Sequence, residues 1–307
     1  MTIVYAHEVS SRHVTPPGHP ERVERIAAVE RGLAGMTLTR RASPLAQEHD
    51  LLRCHPQSYV DTIRRAAPET GTIKLDPETW MSPATWEAAL RAVGAACAAV
   101  DAVLAGEAAN AFVVARPPGH HAESATPMGF CLFGTVAIAA KRALDHHGLS
   151  RVAVVDFDVH HGNGTQALLW DEPRALFVTS QQMPLWPGTG DPSERGAHGQ
   201  IVNIPLPPGS DGKAMRAAYE AKVFPKLEAW KPELILISAG FDAHADDPLA
   251  QLNWREDDYA WLTHRLCDAA DAHAQGRVVS CLEGGYDLDA LAASVAAHVG
   301  VLQERGR

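Results

Sequence analysis

Short apolar runs alternate along this chain with longer segments whose apolar residues recur every three or four positions. Residues 111–115, 151–155, 175–178, 234–238 and 277–282 are rich in Val, Ile and Leu and are bounded by polar or turn-forming residues. Near-unbroken apolar runs of this length predict strands buried on both faces. Residues 86–105, 135–146, 211–230 and 257–274 carry the longer period and predict helices, with a last helix over 288–303. Alternation of this kind argues for an α/β fold, a three-layer αβα arrangement around a mostly parallel sheet. No repeat or low-complexity linker divides the chain, so residues 1–307 are expected to form one domain. The Gly- and Pro-rich segment 184–212 predicts a long ordered loop, of the kind that often carries function. The pattern is weakest up to about Gln57.

Composition narrows the classes. The 307 residues are 46% hydrophobic, enough for a sizeable core, and the formal net charge is −10. No basic run tracks a phosphate backbone, so nucleic-acid binding has no support. The acidic balance fits a protein kept apart by self-repulsion, with a mild bias toward cationic partners. The five cysteines are scattered, odd in number and free of any Cys-x-x-Cys spacing. That usage fits a reducing compartment and excludes a disulfide scaffold. The N-terminus lacks a basic, apolar leader, and no apolar stretch approaches the roughly 20 residues of a membrane span. A cytoplasmic protein without membrane partners is therefore expected.

Each of four predicted strands ends in a polar cluster. Arg116-Pro117-Pro118-Gly119-His120-His121 follows the first, and Asp156-Phe157-Asp158-Val159-His160-His161-Gly162-Asn163 ends the second. Ala239-Gly240-Phe241-Asp242-Ala243-His244 and Glu283-Gly284-Gly285-Tyr286 follow two others. Taken singly, each has a plain structural reading: a helix cap, a solvated histidine pair, a turn. Open parallel sheets, however, bind ligands beyond the carboxyl ends of their strands. Four such clusters at strand ends predict one shared pocket.

Asp158 and His160 are two residues apart and share a face of an extended chain. With Asp242 they supply two carboxylates and one imidazole, a set that suits zinc or ferrous iron and leaves room for water or substrate. Zinc lowers the pKa of bound water to about 7. His120 and His121 then supply the base and the acid that hydrolysis needs. Asp156 and Asn163 are the expected partners of these histidines. If Asp156 holds His120 and Asn163 holds His121, the two rings differ in basicity, and His121 is the better neutral base. Tyr286, on a glycine-rich turn, offers a phenol to an oxyanion. The assembled parts describe metal-assisted hydrolysis of an acyl group, with an amide as the expected bond.

These segments, together with His19-Pro20-Glu21-Arg22, Gly129-Phe130-Cys131 and Pro187-Gly188-Thr189-Gly190, run in order over nearly the whole chain. In that respect the chain resembles the histone deacetylase-like amidohydrolases of the arginase/deacetylase superfamily, nearest their class II branch. The resemblance implies an eight-stranded sheet, one catalytic zinc on Asp158, His160 and Asp242, and catalysis by His120, His121 and Tyr286. It implies a potassium ion near Asp156, the carbonyls of Asp158 and His160, and Thr179 or Ser180. It implies substrate contacts at Gly129, Phe130, Trp186, Leu249 and Gly284, and a place for Arg22 near an inner exit cavity. Asp76 or Glu78 would anchor the substrate backbone. Asn163 is the class II mark, while Gln181 and Gly134-Thr135 depart from many relatives. The implied substrate is acetylated lysine or a similar acylated amine. Acetylated polyamines are the alternative, weakened by the apolar Leu249, and a non-catalytic acetyl-lysine binder is a third possibility.

Overall fold

The computed structural model describes residues 1–306. Ten strands form in chain order: β1 (Thr2–Ala6), β2 (Thr39–Ala42), β3 (Ile73–Lys74), β4 (Trp80–Met81), β5 (Asn110–Val114), β6 (Val152–Asp156), β7 (Ala175–Gln182), β8 (Ile201–Leu206), β9 (Ile235–Ala239) and β10 (Val278–Leu282). Eight of them build one parallel sheet in the order β2-β1-β5-β10-β9-β6-β7-β8. The remaining two, β3 and β4, pair antiparallel as a separate ribbon.

Side-chain alternation along the strands feeds two apolar layers. On β5, Ala111 and Val113 enter one layer, while Phe112 and Val114 enter the other. On β6, Val152 and Val154 face the first layer, and Ala153 and Val155 the second. The helices Thr85–Leu104 and Thr135–Asp145 cover the first face. Glu256–His273 and Leu288–Arg305 cover the second. Every residue of β5, β6, β9 and β10 is buried. Each fully buried Val or Ile contributes roughly 1.5–3 kcal/mol. The strands are thus pinned in register, and their carboxyl ends lie side by side.

Two expectations need correction. The segment 184–212 is not all loop, because it holds the edge strand β8. Pro205 lacks an N–H, and an edge position, with one neighbour in the ladder, tolerates that loss. The helix expected over 211–230 is broken into Gly212–Ala218, a wider π turn at Tyr219–Val223, and Phe224–Trp230. Pro225 cannot donate to the preceding turn, and one extra residue there accommodates it. The weakly patterned N-terminal part supplies β1, β2 and the helix Glu24–Gly32. Among the described residues no helix is long and apolar enough to cross a membrane, and all five cysteines are free and buried.

Candidate active site

Two strand ends build a cluster of donor atoms. Beyond β6, Phe157 and Val159 pack into the second apolar layer, so Asp158 and His160 are turned away from it. Beyond β9, Phe241 and Ala243 pack into the same layer and turn Asp242 likewise. Asp158, His160 and Asp242 meet with one ligand atom each inside a 4.8 Å span, all buried. His160 Nδ1 lies 3.1 Å from Asp158 Oδ1 and 3.1 Å from Asp242 Oδ2. Backbone N–H groups hold the carboxylates: Gly284 donates to Asp158 Oδ2 at 2.8 Å, and Val159 to Asp242 Oδ1 at 2.9 Å. Two glycines permit the approach. A Cβ on Gly240 would strike Asp158, and one on Gly284 would strike both Asp242 and Asp158.

The electrostatics of the cluster call for a cation. Burial opposes charge on His160, yet its hydrogen bonds to Asp158 and Asp242 push its pKa up to about 10. Burial and the neighbouring Asp158 charge push Asp242 up to about 7. Asp158 itself is held below the usual carboxylate range, because the His120 and His160 charges outweigh its burial. Two buried carboxylates sharing one imidazole are a costly arrangement unless positive charge sits among them. The donor set, two oxygens and one imidazole nitrogen, fits a divalent ion such as zinc.

The tandem histidines stand beside this cluster. Glu283 Oε2 accepts the N–H of Gly119 at 2.7 Å and of His120 at 3.2 Å, and so fixes their loop to the end of β10. His120 Nδ1 lies 3.0 Å from Asp156 Oδ2. His121 Nδ1 lies 2.8 Å from Asn163 Oδ1. Asn163 Nδ2 donates to Glu123 Oε1 at 2.9 Å, so its Oδ1 must face His121. That oxygen only accepts, so the proton of neutral His121 sits on Nδ1 and Nε2 keeps its lone pair. The two rings differ as their partners do. Burial works against charge on His120, but Asp158 and Asp156 outweigh it and hold the pKa well above the ordinary value. Burial, with the charges of His120 and His160, holds His121 well below it.

Tyr286 follows Gly285, whose φ of +121° excludes other residues without strain. Burial and then the Asp242 charge raise the phenol well above its usual pKa, so it stays protonated and able to donate. Arg25 braces this turn. Its Nε donates to Gly285 O at 2.7 Å, Nη2 to Glu283 O at 2.5 Å, and its guanidinium lies 5.1 Å from the Tyr286 ring. Glu21 in turn holds Arg25 and Arg116, all three buried.

A cavity of about 320 Å³ opens onto these groups, lined by His121, His160 and Tyr286 at its base and by Gly129, Phe130, Trp186 and Leu249 along its walls. Phe130 has a φ of +70°, an uncommon conformation for a non-glycine residue that costs of order 1–3 kcal/mol. Its ring sits 5.9 Å from that of Tyr286. The Trp186 ring sits 4.7 Å from that of His121.

Several expected residues stand elsewhere. Gly284 is not on the cavity wall; it lies beneath the carboxylates, where its missing side chain is what matters. Arg22 is exposed, and Arg25, one helical turn on, makes the inner contacts instead. Asp76 is turned inward on its own loop, accepting the N–H of Glu78 at 2.8 Å, whereas Glu78 lines the cavity. Asp156 pairs in register with Thr179 on β7, and the neighbouring Ser180 hydroxyl meets Tyr219 at 2.8 Å. His161 binds Thr189 at 2.7 Å and Gln166 at 3.1 Å, tying the Pro187–Gly190 turn to the helix Asn163–Leu169. Gln181 donates to Gly190 O at 2.9 Å and holds the same turn. Gly134 N donates to His55 at 2.9 Å, a contact the sequence did not suggest.

Residues 19–302 match the Histone deacetylase domain family. The chain is 45% identical over 302 residues to an uncharacterised protein of Synechocystis, covering 96% of this chain and 97% of that protein. It is 41% identical over 285 residues to the histone deacetylase-like amidohydrolase of Pseudomonas aeruginosa, covering 89% of this chain and 74% of that protein. The crystal structure of the HDA15 HD domain superposes with a TM-score of 0.93 at 30% identity, covering 99% of this chain and 89% of that one. Fold, donor cluster and these matches agree: the chain belongs to the histone deacetylase family of amidohydrolase enzymes.

Proposed function

We propose that residues 1–307 act as one zinc-dependent deacetylase domain that removes acetyl or short acyl groups from acylated lysine or a similar primary amine. One observation carries this reading. His160 of the Asp158–His160–Asp242 cluster, a neutral His121 and Tyr286 line one aromatic-walled cavity.

In this reading Asp158, His160 and Asp242 hold the zinc ion, which when bound polarises the acyl carbonyl and makes water acidic enough to attack near neutral pH. His121 Nε2 takes a proton from the attacking water and delivers it to the leaving amine as the C–N bond breaks. Asn163 keeps the Nε2 lone pair available by occupying Nδ1–H. His120, held charged by its carboxylates, keeps positive charge beside the reacting oxygens. The Tyr286 phenol donates to the oxyanion. Phe130 and Trp186 flank the apolar stem of the amine, and Gly129 leaves room between His121 and Trp186. Asp156, with the carbonyls of Asp158 and His160 and with Thr179 or Ser180, would hold a structural potassium ion. The enzyme is placed in the cytoplasm, since its five free cysteines suit a reducing compartment, and its net charge of −10 disfavours a nucleic-acid partner.

Acetylated polyamines are the second reading. Glu78, an exposed carboxylate lining the cavity, favours a cationic substrate, while the apolar Leu249 on the same cavity disfavours one. The test is a panel of acetyl-lysine peptides and acetylated polyamines on zinc-loaded enzyme. Acetyl-lysine peptides should give the higher kcat/KM; a clear polyamine preference would reverse the order. Zinc binding without turnover of any acyl substrate would instead indicate a non-catalytic binder.

A further inference from the structure

We infer that Asp247 is a positioning residue that holds the oxyanion donor Tyr286 and the cavity rim at Leu249 in one unit. The inference rests on the role proposed above for Tyr286. Asp247 is buried in the loop that leaves β9 beyond the donor Asp242. Its two carboxylate oxygens are divided between two loops. Oδ1 accepts the N–H of Leu249 at 3.0 Å, on its own loop. Oδ2 accepts the N–H of Tyr286 at 2.7 Å, from the turn that leaves β10. Its own N–H donates to His244 O at 3.0 Å, so the residue is anchored as well as anchoring.

The placement matters because Asp247 is the acceptor of the Tyr286 N–H itself. Gly285 gives the turn unusual backbone freedom; Arg25 braces it through the carbonyls of Glu283 and Gly285 and lies against the Tyr286 ring, and Gly284 is tied to Asp158 and Phe241, but none of these contacts takes the Tyr286 N–H. The bond from Asp247 therefore fixes the peptide that carries the Tyr286 side chain. A buried N–H left without an acceptor has a real cost, and the turn would shift to satisfy it. The phenol would shift with it. Because the same carboxylate holds Leu249, the wall of the cavity and the donor at its base are set relative to each other by one side chain.

The test uses the zinc-loaded full chain. Asp247→Asn keeps the shape but leaves one acceptor for two N–H groups, and Asp247→Ala leaves none. Asp247→Asn should lower kcat about tenfold, the loss of one hydrogen bond that fixes the donor. Asp247→Ala should lower it about a hundredfold, as a misplaced catalytic group does. Zinc content should stay at the wild-type level in both. In a Tyr286→Phe background, Asp247→Asn should change kcat by no more than about twofold, because its effect passes through the phenol. A general structural role would give a further tenfold loss in that background, and that result, or loss of zinc in step with activity, overturns the inference. A crystal structure of Asp247→Asn decides the point independently of turnover. A displaced Tyr286 turn supports the inference, and an unmoved one sinks it. An inactive wild type would count against the proposed reaction alone, since the position of Tyr286 in that crystal structure is read without substrate.

Discussion

The base and the mouth of the cavity are built in opposite ways. At the base, Asp156, Asp158, His160 and Asp242 are buried, and each carboxylate is held by a backbone N–H or an imidazole. Their positions follow from neighbours packed into the core, so the chemistry has little freedom to vary. At the mouth, Trp186 is 39% exposed, Glu78 is exposed and Leu249 is half-buried, all on loops. Side chains there can change without disturbing the sheet. The difference teaches that the donor cluster is built by the strand ends and the cavity mouth by the loops.

Substitutions at the two ends should separate accordingly. Asp242→Ala should have the largest effect, removing bound metal and lowering turnover by more than about ten-thousandfold, since both zinc and its neighbours' roles are lost. Metal analysis beside the assay checks this; retained zinc would break the ligand assignment. His121→Ala should lower kcat by about 10²–10⁴ while zinc stays bound. Tyr286→Phe should lower it by about 10²–10³, again with zinc retained.

A smaller effect should appear in pH dependence. With His121 held below the ordinary histidine pKa, the acid limb of kcat/KM should lie below the usual imidazole range. Asn163→Asp places a carboxylate on Nδ1, favours the imidazolium, raises the His121 pKa and moves that limb to higher pH. A limb that stays still would mean that another group titrates. The smallest effect belongs to the mouth. Leu249→Glu should shift kcat/KM toward acetylated polyamines by about fivefold, the worth of an exposed ion pair, and added salt should erase it. A loss of kcat on every substrate would show instead that the rim is not separable from the base.

The same contrast explains what was legible in the sequence. Strand ends are local signals. The apolar run 151–155, with Phe157 and Val159 continuing its alternation, is enough to put Asp158 and His160 on one face. The sheet and its flanking helices followed from the same periodicities. Residues that act through backbone groups left no such signal. Glu283, Asp247 and Arg25 hold N–H and carbonyl groups of distant loops, and any polar side chain at a turn looks alike until the loops are placed. The resemblance points to Arg22, while the structure gives the inner contacts to Arg25, because which arginine faces the core depends on where the helix Glu24–Gly32 begins. Strand β8 was hidden because Pro205 marks an edge strand and a loop equally well. The resemblance implies a substrate contact at Gly284, whereas the structure sets this glycine against the carboxylates of Asp158 and Asp242, where a side chain has no room.

Acetate release from an acetyl-lysine peptide, measured on zinc-loaded wild type and on His121→Ala with equal zinc content, bears most directly on the proposed chemistry. The account predicts turnover by the wild type, its inhibition by a hydroxamate, and near-complete loss in His121→Ala. Turnover that survives in His121→Ala, or a zinc-loaded wild type that releases no acetate, would contradict it.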